Sequence, residues 1–378
     1  MATALSTDLH TIRVAAASGG RLRVESRPRP EPGAGELLLR LSCCGFCGTD
    51  LFKLDHPEPG RAVEGAVLGH EVVGVVEELG PGTVGFAAGD RVAVPHHVAC
   101  GACDLCLRGS ETLCPLFRDN LLLPGGFSDR LLIGERAVRR AAFGLPAALA
   151  DQAAVFLEPA ACVLRGIRKA RLEEAMVARD RGSDRGSGAV AAVLGGGSMG
   201  LLHLLVLKAL WPGLAVAVSE PLAERRAAAL ALGADAAPAL EEARDTVAAL
   251  SGGLGAEAVF DTAGGSAALA AALDLARPGG AVVLFAHAAP GHGGEPAGFD
   301  LNRFFRSEGR LLATYSSGLA EQREIYRLLV TGRLAPAPIV THRVPLSRCG
   351  EAVELARARR ALKVLLVPDT DEDLTGHS

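Results

Sequence analysis

The chain has 378 residues, 49% apolar and 22% charged, enough for two or three domains with sizeable cores. Its formal net charge is −4 and it has no run of about 18 uncharged apolar residues, which removes the case for nucleic acid, an anionic membrane surface or a membrane-spanning helix. Residues 1–10 lack a basic-then-apolar targeting pattern, so a cytoplasmic protein is expected, and in a reducing compartment nine cysteines read as metal ligands before disulfides.

From residue 11 to 100 the chain reads as β-rich. Short apolar runs such as Glu36–Leu41, Val72–Leu79 and Arg91–Val94, broken by Gly and Pro, have the length and punctuation of strands. Within this stretch stand Cys44-Gly45-Phe46-Cys47-Gly48-Thr49-Asp50 and Gly69-His70-Glu71. Taken singly they say little. Cys44 and Cys47 fit a redox C-x-x-C without its usual surroundings, and a histidine beside an apolar run is ordinarily a core or surface residue. Thr49 reads as a cap for a helix beginning near Asp50. His96 and His97 read as loop residues rather than ligands.

Cys100, Cys103, Cys106 and Cys114 follow, spaced C-x2-C-x2-C-x7-C. Four thiolates on one short loop match a tetrahedral, all-cysteine zinc site with no position left open for substrate. Zinc suits them because it is borderline-soft and its binding displaces their protons. The site is structural and by itself says nothing about catalysis.

Glu158 opens Glu158-Pro159-Ala160-Ala161-Cys162, where Cys162 reads as buried rather than reactive. The segment Arg179–Gly188, rich in charge, Gly and Ser, reads as a mobile surface insertion. From about residue 160 short strands alternate with helices: Val190–Leu194 then Met199–Leu210, Ala215–Ser219 then Leu222–Leu232, Ala258–Asp261 then Ser266–Ala276, and finally Ala281–Ala286. This alternation predicts a parallel sheet with helices on both faces. Leu201, Leu202, Leu204 and Leu205 predict a helix buried on most sides, with His203 a core or boundary residue.

Gly195-Gly196-Gly197-Ser198-Met199-Gly200 fits G-x-G-x-x-G in the context that gives it meaning, after a strand and opening a helix. Gly195 makes the turn, Gly197 admits the pyrophosphate, and Gly200 packs helix on strand. The helix N-terminus at Ser198 and Met199 faces the phosphates. Glu220, 20 residues past Gly200, can accept hydrogen bonds from a ribose and repel a 2′-phosphate, which favours NAD over NADP. Arg225 and Arg226 argue the other way. The tail predicts a helix at Glu321–Leu329, a last strand at Lys363–Val367 and a frayed acidic end at Asp369–Ser378.

Together the C-G-F-C-G-T-D, G-H-E, four-cysteine, E-P-A-A-C and glycine-turn motifs, in this order and spacing, resemble the medium-chain zinc-dependent alcohol dehydrogenase family over nearly the whole chain. Glu158, where the ethanol-type branch has Cys, points to the sorbitol, threonine and polyol dehydrogenase branch. The resemblance implies an α/β protein. A GroES-like β-rich catalytic domain at 1–159 would be completed by 316–378. A Rossmann domain with a doubly wound parallel sheet would occupy 160–315, and the active site the cleft between them.

The resemblance further implies that Cys47 and His70 bind a catalytic zinc, with Glu71 and Glu158 supplying carboxylate ligation directly or behind a water. Thr49 would receive the alcohol proton. Phe52 stands where a relay histidine is often found, so the outward path would use water, a ribose hydroxyl or His56. Arg225 would lie near the ribose, and Lys363 matches a basic residue near the pyrophosphate, with a plain strand-edge lysine the alternative. His287 and His292 border a loop near the nicotinamide, and Phe46, Phe52 and Phe127 would wall the pocket or simply pack.

The expected protein carries two zinc ions per chain and NAD. It acts on a small secondary alcohol or ketone (a polyol, sugar alcohol, cyclitol or hydroxy amino acid), has no nucleic-acid or membrane partner, and forms a homodimer or homotetramer. The chemistry follows from an open zinc position, which lowers the pKa of a bound hydroxyl so that its carbon can release hydride. Two rival readings are an NADP-linked ketone or aldehyde reductase and a non-catalytic, zinc-containing nucleotide-binding protein of the same fold.

Overall fold

The computed structural model describes residues 10–56, 64–180, 188–286, 300–370 and 373. His287, His292 and most of the Arg179–Gly188 segment lie outside the described residues, as does most of the acidic tail. The chain divides into two compact units, residues 1–158 with 318–332 and 336–378, and residues 159–317 with 333–335.

The first unit is built on an eight-stranded sheet. Its spine is Leu37–Phe46, whose sequence LLLRLSCCGF is apolar on both faces and is buried on both. One edge of this strand pairs antiparallel with Glu71–Leu79, setting Gly45 opposite Glu71. The other edge is shared. Arg130–Ile133 covers residues 37–40, and Lys363–Val367 covers the far end, with Val364 opposite Phe46 and Leu366 opposite Cys44. A strand from the end of the chain is thereby laid beside the first cysteine motif. Glu71–Leu79 pairs in turn with Arg91–Pro95, Glu71 opposite Pro95, so that His96 follows directly beyond the partner of Glu71. Leu39, Leu41, Val72, Val92, Leu131 and Leu366 meet in one core cluster beneath these strands.

The second unit holds five parallel strands in the order Ala215–Ser219, Val190–Leu194, Ala256–Asp261, Ala276–Leu284, Arg310–Ala313. The α/β fold and doubly wound sheet are as the alternation predicted. The strand expected at Ala281–Ala286 starts earlier, at Ala276, after a register shift against Ala256–Asp261. Strand order reverses on the two sides of Val190–Leu194, which makes the carboxyl end of that strand the switch point where such sheets bind ligands. Helix Ser198–Leu210 buries Leu201, Leu202, Leu204, Val206 and Leu207. His203 is also in this core, its Nδ1 2.8 Å from the Met199 carbonyl and its ring against Phe260 and Phe285. Burial pulls its pKa down to about 4. Among the described residues no helix is long and apolar enough to cross a membrane.

Candidate active site

Leu37–Phe46 ends and helix Gly48–Asp55 begins at Cys47, which is the N-cap. The Cys47 Sγ accepts the Thr49 N–H at 3.5 Å, and the Cys47 N–H donates to Asp50 Oδ2 at 3.0 Å. This reciprocal pair satisfies two otherwise free amides. It also corrects the expected cap at Thr49: the helix starts at Gly48, and Thr49 sits inside its first turn because the sulfur and the Asp50 carboxylate already close the end.

The Cys47 sulfur, a ring nitrogen of His70 and a carboxylate oxygen of Glu71 all lie within 4.8 Å of one another. One zinc ion with ligands at about 2.0–2.3 Å can join such a set with small side-chain shifts. His70 is buried, and its Nδ1 lies 3.3 Å from Asp50 Oδ1. Asp50, wholly buried, also accepts the Gly69 N–H at 3.3 Å. A carboxylate behind one ring nitrogen leaves the other free to bind metal and fixes the ring's direction. Burial disfavours the charged imidazole, but Asp50 and Cys47 outweigh it and raise the His70 pKa well above its ordinary value. Burial likewise opposes the Asp50 charge, yet His70 and the Cys47 amide bring its pKa below the ordinary carboxylate value.

Glu71 is held from behind. Lys363 Nζ donates to its two carboxylate oxygens at 2.8 and 2.7 Å, and both side chains are buried. A Cβ at position 45 would stand 1.9 Å from Glu71 Oε2, so the carboxylate fits only because residue 45 is glycine. Lys363 is therefore no plain strand-edge lysine. Its place beside the site was invisible along the chain, because the two partners are 292 residues apart.

Glu158, at the start of helix Leu157–Ala170, stays out of the compact trio and has its Oε1 3.6 Å from His96 Nδ1. The His96 ring lies 4.6 Å from that of His70 and 3.6 Å from that of His97, which in turn meets Phe117 at 4.8 Å. Burial drives the pKa of His96 well below its ordinary value and that of His97 to about 3. Both histidines are loop residues just past Arg91–Pro95, and there they stack from the trio toward the cysteine loop, since His96 follows the residue paired with Glu71. Phe46 and Phe127 stack on each other in the core, and Phe52 meets the exposed His56 edge-on.

Cys100, Cys103, Cys106 and Cys114 gather their sulfurs within 4.8 Å of one another. The Cys103 and Cys106 sulfurs are 3.5 Å apart, far beyond the ~2.05 Å of a disulfide, and all nine cysteines are free. Backbone amides point at these sulfurs: Cys100 N to Cys114 at 3.4 Å, Gly101 N to Cys106 at 3.3 Å, Ala102 N and Cys103 N to Cys100 at 3.4 Å. Such donors favour thiolate over thiol, and the Ala102 and Cys103 amides lower the Cys100 pKa. Four converging sulfurs with amide support fit a closed tetrahedral zinc site.

In the second unit, Gly195 turns with φ of +100°, and Gly200 lies so close to it that a Cβ would be 1.8 Å from the Gly195 carbonyl oxygen. Thr262 Oγ1 ties the turn to Leu194 O at 2.7 Å. Helix Ser198–Leu210 then starts at Gly197 with no side-chain cap, and the buried Ser198 Oγ has no hydrogen-bond partner among the described residues. Free amides and an orphaned hydroxyl at a helix N-terminus fit a dinucleotide's pyrophosphate. Met199 sits in the same first turn. Glu220, nearly buried at the end of Ala215–Ser219, accepts the Gly196 N–H at 2.7 Å and the Leu222 N–H at 3.0 Å. Arg225 reaches within 3.7 Å of where a Gly197 Cβ would be, whereas Arg226 is spent on the Glu220 and Pro221 carbonyls.

Residues 33–142 match the model of the alcohol dehydrogenase GroES-like domain, and residues 199–331 that of the zinc-binding dehydrogenases. A sorbitol dehydrogenase of Halalkalibacterium halodurans is 27% identical over 357 residues, covering 92% of this chain and 96% of its own. An L-threonine 3-dehydrogenase of Pyrococcus abyssi is 30% identical over 351 residues, covering 89% and 92%. The crystal structure of a zinc-binding dehydrogenase of Sinorhizobium meliloti bound to NADP superposes with a TM-score of 0.77 at 27% identity, covering 95% of this chain and 99% of that one. With both metal-fit donor sets and the glycine turn in place, the chain belongs to the zinc-dependent alcohol dehydrogenase family and is an NAD(P)-linked oxidoreductase.

Proposed function

We propose that this dehydrogenase moves a hydride between NAD(H) and a secondary alcohol of the polyol, sugar-alcohol, cyclitol or hydroxy-amino-acid class, with two zinc ions per chain. The observation that carries this reading is the convergence of Cys47, His70 and Glu71, residues of three kinds that zinc accepts together, within 4.8 Å. Bound there, zinc supplies Lewis-acid polarisation of the alcohol oxygen, and the nicotinamide supplies the hydride acceptor.

The chain's own residues do the rest. Asp50 aims the His70 ring, and Lys363 holds Glu71 in place. Lys363 fixes the Glu71 carboxylate through two hydrogen bonds, and Glu158, beside His96, is the second carboxylate for the ion, one of the two binding directly and the other through a water. Thr49 Oγ1, two residues from Cys47, takes the alcohol proton. With Phe52 in the next helical turn, water, a ribose hydroxyl or His56 carries it outward. Neutral His96 and His97 give the site an aromatic and polar wall suited to hydroxyl-rich substrates. In the second unit the Gly195–Gly200 turn takes the pyrophosphate, Glu220 accepts the ribose hydroxyls, and Arg225 stands nearby, which supports NAD as the working cofactor.

Strand Arg310–Ala313 ends its sheet with one edge unpaired among the described residues, and Leu311 and Tyr315 are exposed there. An unpaired edge with apolar side chains is suited to pairing with a second copy, which supports a homo-oligomer. Light scattering on the purified protein checks this.

The deciding experiment follows NADH and NADPH absorbance over polyols, threonine, 2,3-diols and cyclitols, with zinc counted in the same preparation. Turnover of at least one class with NAD, together with two zinc ions per chain, is expected. No turnover in either direction with the metal present sinks the catalytic reading, and a preference for NADP sinks the role given to Glu220.

A further inference from the structure

Helix Glu135–Ala141 lies against the four-cysteine loop and presents two arginines to it, one turn apart. They are used differently. Arg136 clamps the chain on both sides of the loop, Nε donating to Val98 O at 3.0 Å and Nη2 to Leu116 O at 2.8 Å. Arg140 makes no such bond: its Nε is buried without a hydrogen-bond partner among the described residues. Its guanidinium instead lies against Gly101, so close that a Cβ there would stand 2.0 Å from Nη2 and 2.4 Å from Cζ. Gly101 separates Cys100 from Ala102, and its own amide donates to Cys106. Only glycine at 101 lets the guanidinium approach.

A buried Nε–H without an acceptor is costly unless a negative charge faces the guanidinium. One zinc ion with four thiolates carries a net double negative charge, and the four amide contacts offset it only in part. The acid on the loop's 3-10 turn, Glu111, is committed elsewhere, its Oε2 accepting the Leu319 N–H at 2.8 Å.

We infer that Arg140 is the counter-cation of the four-thiolate site, stabilising its metal-loaded, fully deprotonated form. It is a positioning residue of the structural ion and takes no part in hydride transfer. This rests on the proposal that the four cysteines hold an ion.

The test loads the full chain with cobalt in a Cys47→Ser background, which removes the thiolate of the other donor set so that the thiolate charge-transfer band reports the four-sulfur site, and follows loss of that band to a chelator. Arg140→Met keeps the stem and removes the charge, whereas Arg140→Lys keeps both. Release about tenfold or more faster in R140M than with Arg140 in place, with R140K between them, is the expected result. Arg140→Gln gives the uncharged reading if the methionine variant precipitates. Equal release rates for the lysine and uncharged variants overturn the inference. Failure of the chain with Arg140 in place to develop the four-thiolate band overturns the structural-metal reading itself and the role of Arg140 with it.

Discussion

The Lys363 ammonium donates to both carboxylate oxygens of Glu71, at 2.8 and 2.7 Å, with neither side chain open to water. The pair joins the last strand of the chain to the start of the strand that carries His70 and Glu71 into the site. Burial would lower the Lys363 pKa, but the Glu71 charge outweighs it and holds the ammonium above its ordinary value. The contribution of the Lys363 charge is therefore complete below the unfolded lysine value of about 10.4 and is lost as pH rises through the folded one.

Removing one partner leaves the other charged and dry. Lys363→Met should cost about 3–5 kcal/mol of stability, read as the urea midpoint of the whole chain. The double change Lys363→Met with Glu71→Leu should recover much of that loss. A K363M midpoint equal to the wild type would show that the Glu71 charge finds another partner.

Cys47→Ser should abolish turnover and remove one of the two zinc ions while the chain stays folded, because the four-cysteine loop shares no ligand with Cys47. Metal counting and far-UV circular dichroism on one sample check it. Loss of both ions together would mean that the two sites are not independent. Glu158→Gln should also release that ion if Glu158 is the direct ligand, and retain it if Glu71 is.

Zinc affinity at the Cys47–His70 site should rise with pH through and above neutrality. The metal-free chain holds a proton on His70, whose pKa Asp50 and Cys47 raise against the effect of burial, and zinc must displace it. In the metal-free chain the His70–Asp50 pair stabilises most between the unfolded values of about 3.9 and 6.5. Its contribution fades below that window as Asp50 protonates and above it as His70 loses its proton. Asp50→Asn should weaken zinc binding about 10–100-fold and flatten the pH dependence. A competition titration against a chelator at several pH values decides it, and an unchanged slope in D50N removes Asp50 from the role.

Glu220→Ala should lower the ratio of kcat/KM for NAD over NADP by about tenfold, equivalent to ~1.4 kcal/mol. The carboxylate also braces the glycine turn through the Gly196 amide, so KM for both cofactors should rise. A ratio that does not move would remove Glu220 from the ribose site.

The parts that could be read along the chain are those made by neighbours in sequence. Four cysteines within fifteen residues converge because a short loop can hardly keep them apart, and the glycine turn follows from its own steric demands. Alternating strands and helices at 190–284 show in their apolar period. What escaped reading was made by pairing across the sheet: the stacking of His96 and His97 onto His70, and the approach of Lys363 to Glu71.

Local order thus named the donors and the nucleotide turn, since spacing and residue type suffice when partners are close along the backbone. Which carboxylate is tied down, which histidine is aimed and which arginine faces the cysteine loop depended on strand register and helix docking. Those are set by long-range burial of apolar faces, and a one-residue slip in register would point each of these side chains away from its partner.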